Sequence, residues 1–330
     1  MKKYIVLILA LVGGRTLVQA QVDPHFSQYY VFPSWLNPAL TGAFDGEYKV
    51  AGIYRSQWDK LDNGFKTFGV NAEAVTNKKL NIGLNLFQQS TGTGFTYQNA
   101  YASFNYTGVR FGKENSHVIA IGIQAGMLSR RFDPTKFTTG EQWSVGGGFN
   151  PNTGNGEVLA NKGKTAFDAG AGVLYYDMNP AKKASPYLGV SVGHLTQPEG
   201  FYISANDKLP MRMTVHGGVA INPSGSFVVT PNFLYLRQGN AEEKMIGAFG
   251  QYRVSENTSL LGGLNYRFED AVVPFVGFDY KNFVVGVSYD VNTSDLGRMV
   301  GNANTFEVSL SYIIKRNRIL GQRFFSCPRL

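Results

Sequence analysis

Alternation of apolar and polar residues is the clearest regularity along this chain. Residues 80–86 read LNIGLNL, with an aliphatic side chain at every even position and Asn or Gly at every odd one. The same period of two recurs at residues 119–127, 283–291 and 306–312. Successive side chains of a β-strand point to opposite sides of the sheet, so the pattern predicts strands with one apolar and one polar face.

The make-up of the polar face distinguishes a membrane barrel from a soluble sandwich. It carries mostly Gly, Asn, Ser and Thr, and charged residues make up only 16% of the chain, against roughly 25% in soluble domains. No segment beyond residue 20 reaches about 18 consecutive apolar residues, so the sequence predicts no transmembrane helix. Strands can face lipid only in a closed barrel, because an open sheet edge would leave backbone groups unpaired. The polar face then suits a crowded, wet lumen.

The alternating segments number fourteen, and the sequence therefore predicts an all-β, transmembrane antiparallel β-barrel over residues 46–315. An even number is typical of bacterial single-chain barrels. The long connections, near 130–164, 196–209 and 293–301, are all odd-numbered, which agrees with short periplasmic turns and long outer loops. The predicted strands are residues 46–58, 65–76, 79–90, 95–110, 116–129, 165–178, 184–195, 210–222, 226–237, 242–253, 257–268, 271–280, 282–292 and 302–315.

The two ends of the chain lie outside the predicted barrel. Residues 1–20 have a basic start, a short apolar core and a small-x-small ending, which together predict a secretory signal peptide. Residues 21–45, rich in aromatics and Pro, are expected either in the lumen or at the periplasmic rim, and residues 316–330 form a basic tail. With an even strand count, both extensions are predicted to face the periplasm, with the barrel in the outer membrane of a Gram-negative cell.

The sequence contains no constellation that indicates catalysis or a cofactor. It has no nucleophile, metalloprotease or phosphate-loop motif, and its four histidines lack metal-ligand spacing. Residues 147–157 offer oxygen ligands without the EF-hand spacing, which favours an ordinary loop over a calcium site. The sequence therefore predicts neither an enzyme nor a metal or cofactor site, and no nucleic-acid partner.

A set of charged residues falls on the lumen-facing parity of the predicted strands. Such charges could line a conduit, or they could form salt bridges that close the interior, and we favour a closed or plugged lumen. The residues are Glu73, Asp168, Arg212, Arg267, Asp279, Asp290 and Glu307.

Two groups of residues are candidate partner contacts. The first follows the first strand, where Trp and Arg could form an interface centre. Alternatively Trp58, on the parity of the lipid-facing Tyr54, belongs to the aromatic girdle. The second lies in the tail, which could bind an acidic periplasmic partner or anionic headgroups, or be a merely solvated basic end. The lone cysteine could form an intermolecular disulfide or remain a free thiol. The candidates are Arg55, Gln57, Trp58, Phe324, Phe325, Cys327 and Arg329.

Several short motifs resemble one known family along most of the chain. Residues 23–29 read DPHFSQY, residues 36–39 read LNPA, and the first predicted strand closes with RSQW at 55–58. Residues 289–296 read YDVNTSDL, and the chain ends with CPRL. These blocks are similar to those of the PorP/SprF family of outer-membrane barrels in the type IX secretion system.

The resemblance, rather than the strand pattern, implies a role in secretion. Family members assist the export or surface attachment of proteins with a C-terminal sorting domain, such as large adhesins, in connection with gliding motility and a periplasmic ring lipoprotein. Residues 21–45 and 316–330 would then dock to that ring. Two alternatives stay open, a passive porin or hydrophobic-solute transporter, and an adhesin anchor without a transport role.

Overall fold

The fold is described from a computed structural model of the full chain. It describes residues 23–58, 64–76, 79–136, 138–144, 146–150, 152–153, 163–179, 182–199, 208–295 and 304–314. The predicted signal peptide and the tail at 316–330, with the candidates Phe324, Phe325, Cys327 and Arg329, lie outside these residues.

Fourteen antiparallel strands close into one barrel. Each barrel strand pairs with its neighbours along the chain, β5 pairs with β8, and β16 closes the barrel against β1. The short strands β6 and β7 form a separate ribbon within the connection from β5 to β8. The strands are β1 Tyr48–Gln57, β2 Phe65–Val75, β3 Leu80–Thr91, β4 Phe95–Phe111, β5 His117–Phe132, β6 Trp143–Ser144, β7 Gly148–Phe149, β8 Gly163–Asp177, β9 Ala184–Gly193, β10 Arg212–Ile221, β11 Phe227–Gln238, β12 Ala241–Ser255, β13 Thr258–Arg267, β14 Ala271–Tyr280, β15 Phe283–Asn292 and β16 Thr305–Ile314.

The predicted barrel and strand number are confirmed, and the long connections all fall on odd-numbered positions, as predicted. The turns from β12 to β13 and from β14 to β15 have two residues each, at 256–257 and 281–282, whereas the connections after β5, β9 and β15 are long. The end of the barrel with these two-residue turns carries only short connections and is called the short-turn end. The opposite end carries the long connections, together with short turns at residues 92–94, 239–240 and 268–270, and is called the long-connection end.

The outer surface of the barrel is apolar, as the alternation predicts. On β3, Leu80, Ile82, Leu84 and Leu86 are exposed, while the intervening Asn85 points into the barrel and is buried. A belt of exposed aliphatic and aromatic side chains on this scale is stable only against lipid. Among the described residues, no helix is long and apolar enough to cross a bilayer.

Residues 23–45 lie inside the barrel, and we call them the plug. The plug contains a short helix, α1 (Pro33–Leu36), and a 3-10 turn at Pro38–Leu40. It begins at the long-connection end, where Asp23 contacts His194 just after β9. It leaves at the short-turn end, where the backbone N–H of Glu47 donates to the carbonyl of Ile314. The plug therefore crosses the whole lumen. Of the two positions expected for residues 21–45, the described part of the segment therefore occupies the lumen.

The plug builds an apolar core in the lumen. Its aromatic and aliphatic side chains are buried against inward-facing residues of the strands, and Trp35 stacks on Phe87 with ring centroids 5.3 Å apart. Each large apolar side chain buried in this way stabilises the plug by about 1.5–3 kcal/mol. The centre of the lumen is thus packed rather than wet. The buried plug residues include Phe26, Tyr29, Tyr30, Val31, Phe32, Trp35, Leu36, Ala39, Leu40 and Phe44.

Glycines of the barrel wall make room for the plug. A Cβ atom built on Gly122 of β5 would lie under 3.0 Å from the backbone of Pro38 and Ala39. At Gly172 of β8 the corresponding obstacle is the Asn37 side chain. At these two positions the plug therefore approaches the wall more closely than any wall side chain would allow, by its backbone at Gly122 and by the Asn37 side chain at Gly172.

Candidate functional site

A buried ionic group at the long-connection end ties the plug to β1, β15 and β16; we call it the Arg55 cluster. The Arg55 guanidinium lies 3.0 Å from Glu307 and 3.2 Å from Asp290. Arg267 of β13 lies 2.6 Å from the same oxygen of Asp290. The Ser27 hydroxyl donates to Asp290 at 2.7 Å and accepts from Arg55 at 2.8 Å. Two cations thus face two carboxylates in a site closed to solvent.

The Arg55 cluster also holds the plug backbone. The two Glu307 oxygens accept hydrogen bonds from the backbone N–H groups of Ser27 and Gln28, at 3.0 and 2.7 Å. The Gln28 side chain continues this contact, because its Oε1 accepts from the Ser309 hydroxyl at 2.7 Å. A carboxylate buried without a cation would cost several kcal/mol, so Arg55 is needed for this clamp to form.

A second ionic group, the His194 cluster, holds the first plug residue. The two ring nitrogens of His194 each lie 2.6 Å from a carboxylate, one of Asp23 and one of Asp168. Arg212 lies 3.3 Å from Asp23, and the Tyr101 hydroxyl donates to Asp168 at 2.6 Å. Burial alone would lower the pKa of His194, but the charge of Asp23 and the hydrogen bonds of both carboxylates outweigh it and raise that pKa to about 9.

The charge state of the His194 cluster follows from these contacts. Burial would raise the pKa of Asp23, yet the charge and hydrogen bond of His194, with Arg212, hold that pKa well below its usual range. At neutral pH the group is therefore an imidazolium between two carboxylates. Because both histidine nitrogens are hydrogen-bonded to carboxylates, neither is left as a base or a metal ligand.

The middle of the plug is held by hydrogen bonds rather than by ion pairs. The Asn37 amide lies 3.1 Å from Nε2 of His216 and donates to the carbonyl of Val173 at 3.2 Å. Glu73 accepts from the Ser34 hydroxyl at 3.0 Å and from the backbone N–H of Gly42 at 2.7 Å. The plug is therefore fixed along its length and not only at its ends.

A cavity of about 320 Å³ remains at the long-connection end, between the start of the plug and strands β10 to β13; we call it the mouth cavity. Its walls are mainly apolar and aromatic, and several carboxylates lie among them. The residues that line the mouth cavity include Asp23, His25, Phe26, Trp35, Leu36, Trp58, Arg212, Leu234, Leu236, Glu242, Glu243, Arg267, Glu269 and Asp270.

The three predicted partner contacts at the end of the first strand lie in different surroundings in the structure. Arg55 is 1% exposed and points into the lumen, so it cannot reach a partner on the barrel surface. Gln57 is also buried and lines the mouth cavity. Trp58 follows β1 with φ of +60°, half-buried against Phe65 at a centroid distance of 5.6 Å. This turn takes Trp58 off the strand parity that predicted the girdle position.

All seven charged residues predicted to face the lumen are buried there. The alternation pattern located these residues, but it gave no partners for them. The sequence analysis did not join His194 to Asp23, because the two residues are 171 positions apart and come together only when the plug enters the barrel. Among the described residues, no group of His, Cys, Asp and Glu side chains could hold a metal ion.

Several residues of the blocks that carry the family resemblance meet in these two clusters. Asp23, Ser27 and Gln28 come from the DPHFSQY block, Arg55 from RSQW and Asp290 from YDVNTSDL. Residues 18–312 match the family described as "Type IX secretion system membrane protein PorP/SprF". The chain belongs to the PorP/SprF family. The match covers the plug and nearly the whole barrel of this PorP/SprF protein.

Solved structures of similar shape are outer-membrane channels. The toluene transporter TbuX of Ralstonia pickettii superimposes with a TM-score of 0.53 at 10% identity, covering 86% of this chain and 94% of that one. The monoaromatic hydrocarbon channel CymD gives a TM-score of 0.50 at 11% identity, covering 90% and 96%. At this level of identity the likeness shows only that the PorP/SprF protein shares their fold. No curated protein matches its sequence.

Proposed function

We propose that this PorP/SprF protein assists the export or surface attachment of proteins with a C-terminal sorting domain, such as large adhesins, as a plugged outer-membrane platform. Family membership supports the secretion role. The occupied lumen is the observation that favours a platform over a conduit. In this arrangement the barrel contacts its partners through its rims, its loops and the mouth cavity, and the exported protein does not pass through the lumen.

The plug contacts explain why a polypeptide conduit is disfavoured. A translocating chain would have to displace the aromatic core around Trp35 and break both ionic clusters. Separating one member of a buried ion pair alone costs about 3–5 kcal/mol. A barrel that works with the plug in place needs none of this disruption.

Docking to the periplasmic ring lipoprotein is assigned to the basic tail at residues 316–330. The other predicted docking segment, residues 21–45, supplies the buried plug and therefore offers little free surface. Phe324, Phe325, Cys327 and Arg329 remain the candidate contacts on the tail. Removing residues 317–330 leaves the last strand, β16, complete, because that strand ends at Ile314.

The proposal is tested by cross-linking mass spectrometry of the tagged protein in its native membrane. We expect to recover a surface protein through its C-terminal domain, together with a periplasmic ring lipoprotein. The variant without residues 317–330 should lose the lipoprotein and keep the barrel. Recovery of the barrel alone would contradict the secretion role, and an unchanged yield of lipoprotein from the truncated chain would contradict docking by the tail.

A passive channel for hydrophobic solutes is the second candidate function. The apolar walls of the mouth cavity, with Leu234 and Leu236, favour it, because such walls suit a small apolar molecule. This candidate requires a path past the plug. It predicts uptake of a hydrophobic solute by liposomes that contain the purified barrel, and equal uptake with and without the barrel would contradict it.

A further inference from the structure

The mouth cavity combines apolar walls with several carboxylates. Phe26, Leu36, Leu234 and Leu236 form its apolar surface. A volume of about 320 Å³ equals that of roughly ten water molecules at about 30 Å³ each, which is enough for one long side chain. The cavity opens toward the long-connection end, which barrel architecture assigns to the cell exterior.

Five carboxylates and two guanidinium groups line the cavity, and most of these carboxylates already have a cation. His194 lies 2.6 Å from Asp23, and Lys244 and Arg237 lie 2.9 and 3.9 Å from Glu242. Arg212 pairs with Asp23 at 3.3 Å, and Arg267 pairs with Asp290 at 2.6 Å and with Asp270 at 2.5 Å. The carboxylates that line the cavity are Asp23, Glu242, Glu243, Glu269 and Asp270.

Glu243 is the carboxylate best placed to receive a ligand. Its side chain is 14% exposed, and its closest ion-pair partner is His25, with Oε2 3.5 Å from Nδ1. Burial and the nearby charges of Arg267 and Arg55 lower the pKa of His25 well below its usual value, so its imidazole is neutral at pH 7. Glu243 thus faces the cavity beside a neutral partner.

The protein's own Arg212 already occupies the aromatic wall of the cavity at Trp35. The central carbon of Arg212 lies 4.2 Å from the centroid of the Trp35 ring, which is a cation–π arrangement. An arginine also offers a planar fork that matches a carboxylate, and its apolar stem can lie along aliphatic side chains. Arginine therefore fits both parts of this cavity, the acidic edge and the apolar floor.

We infer that the mouth cavity binds an arginine side chain of the exported polypeptide, with its guanidinium against Glu243 and its stem along Leu234 and Leu236. The choice of a polypeptide as the source rests on the proposed function. The site itself rests on the charge and shape of the cavity. It would let the plugged barrel hold a client at its outer mouth without opening the lumen.

The test uses two blocked tripeptides, acetyl-Ala-Arg-Ala-amide and its citrulline counterpart, which differ in charge but hardly in shape. Binding to the full-length protein in detergent is measured by isothermal titration calorimetry. Wild-type protein should bind the arginine peptide at least about tenfold more tightly than the citrulline peptide. Glu243→Gln should abolish this preference. Glu256→Gln, an exposed change in the turn after β12 at the opposite end, should keep it.

Equal affinity of wild-type protein for the two peptides, or no measurable binding, would overturn the inference. So would an unchanged preference in Glu243→Gln. Heat-dependent mobility on a denaturing gel verifies that each variant is a folded barrel, so that a lost preference is not a folding defect. If the cavity fails this test while cross-linking still recovers a client, the proposed function stands without this site.

Discussion

Replacing Gly122 by alanine should displace the plug without touching any ionic group. A Cβ at this position would lie under 3.0 Å from the backbone of Pro38 and Ala39, and backbone atoms cannot rotate away as a side chain can. In an unobstructed strand, Gly→Ala usually stabilises by about 0.5–1 kcal/mol. Overpacking of this kind costs about 1–3 kcal/mol. We therefore expect a net loosening of the plug by about 1–2 kcal/mol.

The assay is limited proteolysis of the purified barrel, followed by mass spectrometry of the N-terminal segment. Cleavage of a transiently opened segment follows its open population, and about 1.4 kcal/mol changes that population tenfold. Gly122→Ala should therefore lose residues 23–45 roughly ten times faster than wild type. Gly193→Ala is the matched control, since its Cβ would lie 3.6 Å from the Arg212 side chain, an ordinary contact. Equal cleavage rates in both variants would refute the close fit of the plug.

Further predictions concern the two ionic clusters. Arg55→Leu should leave Asp290 and Glu307 without this cation and destabilise the barrel by about 3–5 kcal/mol, seen as a lower thermal midpoint, whereas the exposed Arg253→Leu should change it little. The pKa of His194 is raised, so the stabilisation that its charge gives the plug is complete below about pH 6.5 and is lost as the pH rises through about 9. Proteolysis of the plug, measured between pH 6 and pH 10, would detect this loss. A flat profile over that range, or His194→Gln behaving as wild type, would contradict this assignment.

The sequence predicted the barrel well because membrane strands are a local pattern. Alternation such as Leu84, Asn85 and Leu86 depends only on neighbouring residues and on the lipid outside, and it gave the strand number and the parity of the connections. The alternation pattern stops being informative where the chain leaves a strand. Of the two alternatives for Trp58, the girdle position rested on strand parity, and the chain turns at this residue with a positive φ.

The clusters could not be derived in the same way, because they join distant parts of the chain. Nothing in the local sequence around Asp23 indicates His194, and Arg55 looked like a surface contact until the plug filled the lumen beside it. The signal that could have found them was an excess of aromatics and Pro at residues 21–45 together with buried-parity charges. The apolar side chains of such a segment must be buried, and the lumen of the predicted barrel is a place where they can be.

The most direct test of the plugged platform is the conductance of the purified full-length protein in planar bilayers. The account predicts no stable single-channel current for wild type, because the plug crosses the lumen from Asp23 to the start of β1. It predicts current bursts for Gly122→Ala, in which the plug is loosened. A steady wild-type conductance of the size expected for an open fourteen-stranded pore would contradict the account, since the lumen would then be a conduit.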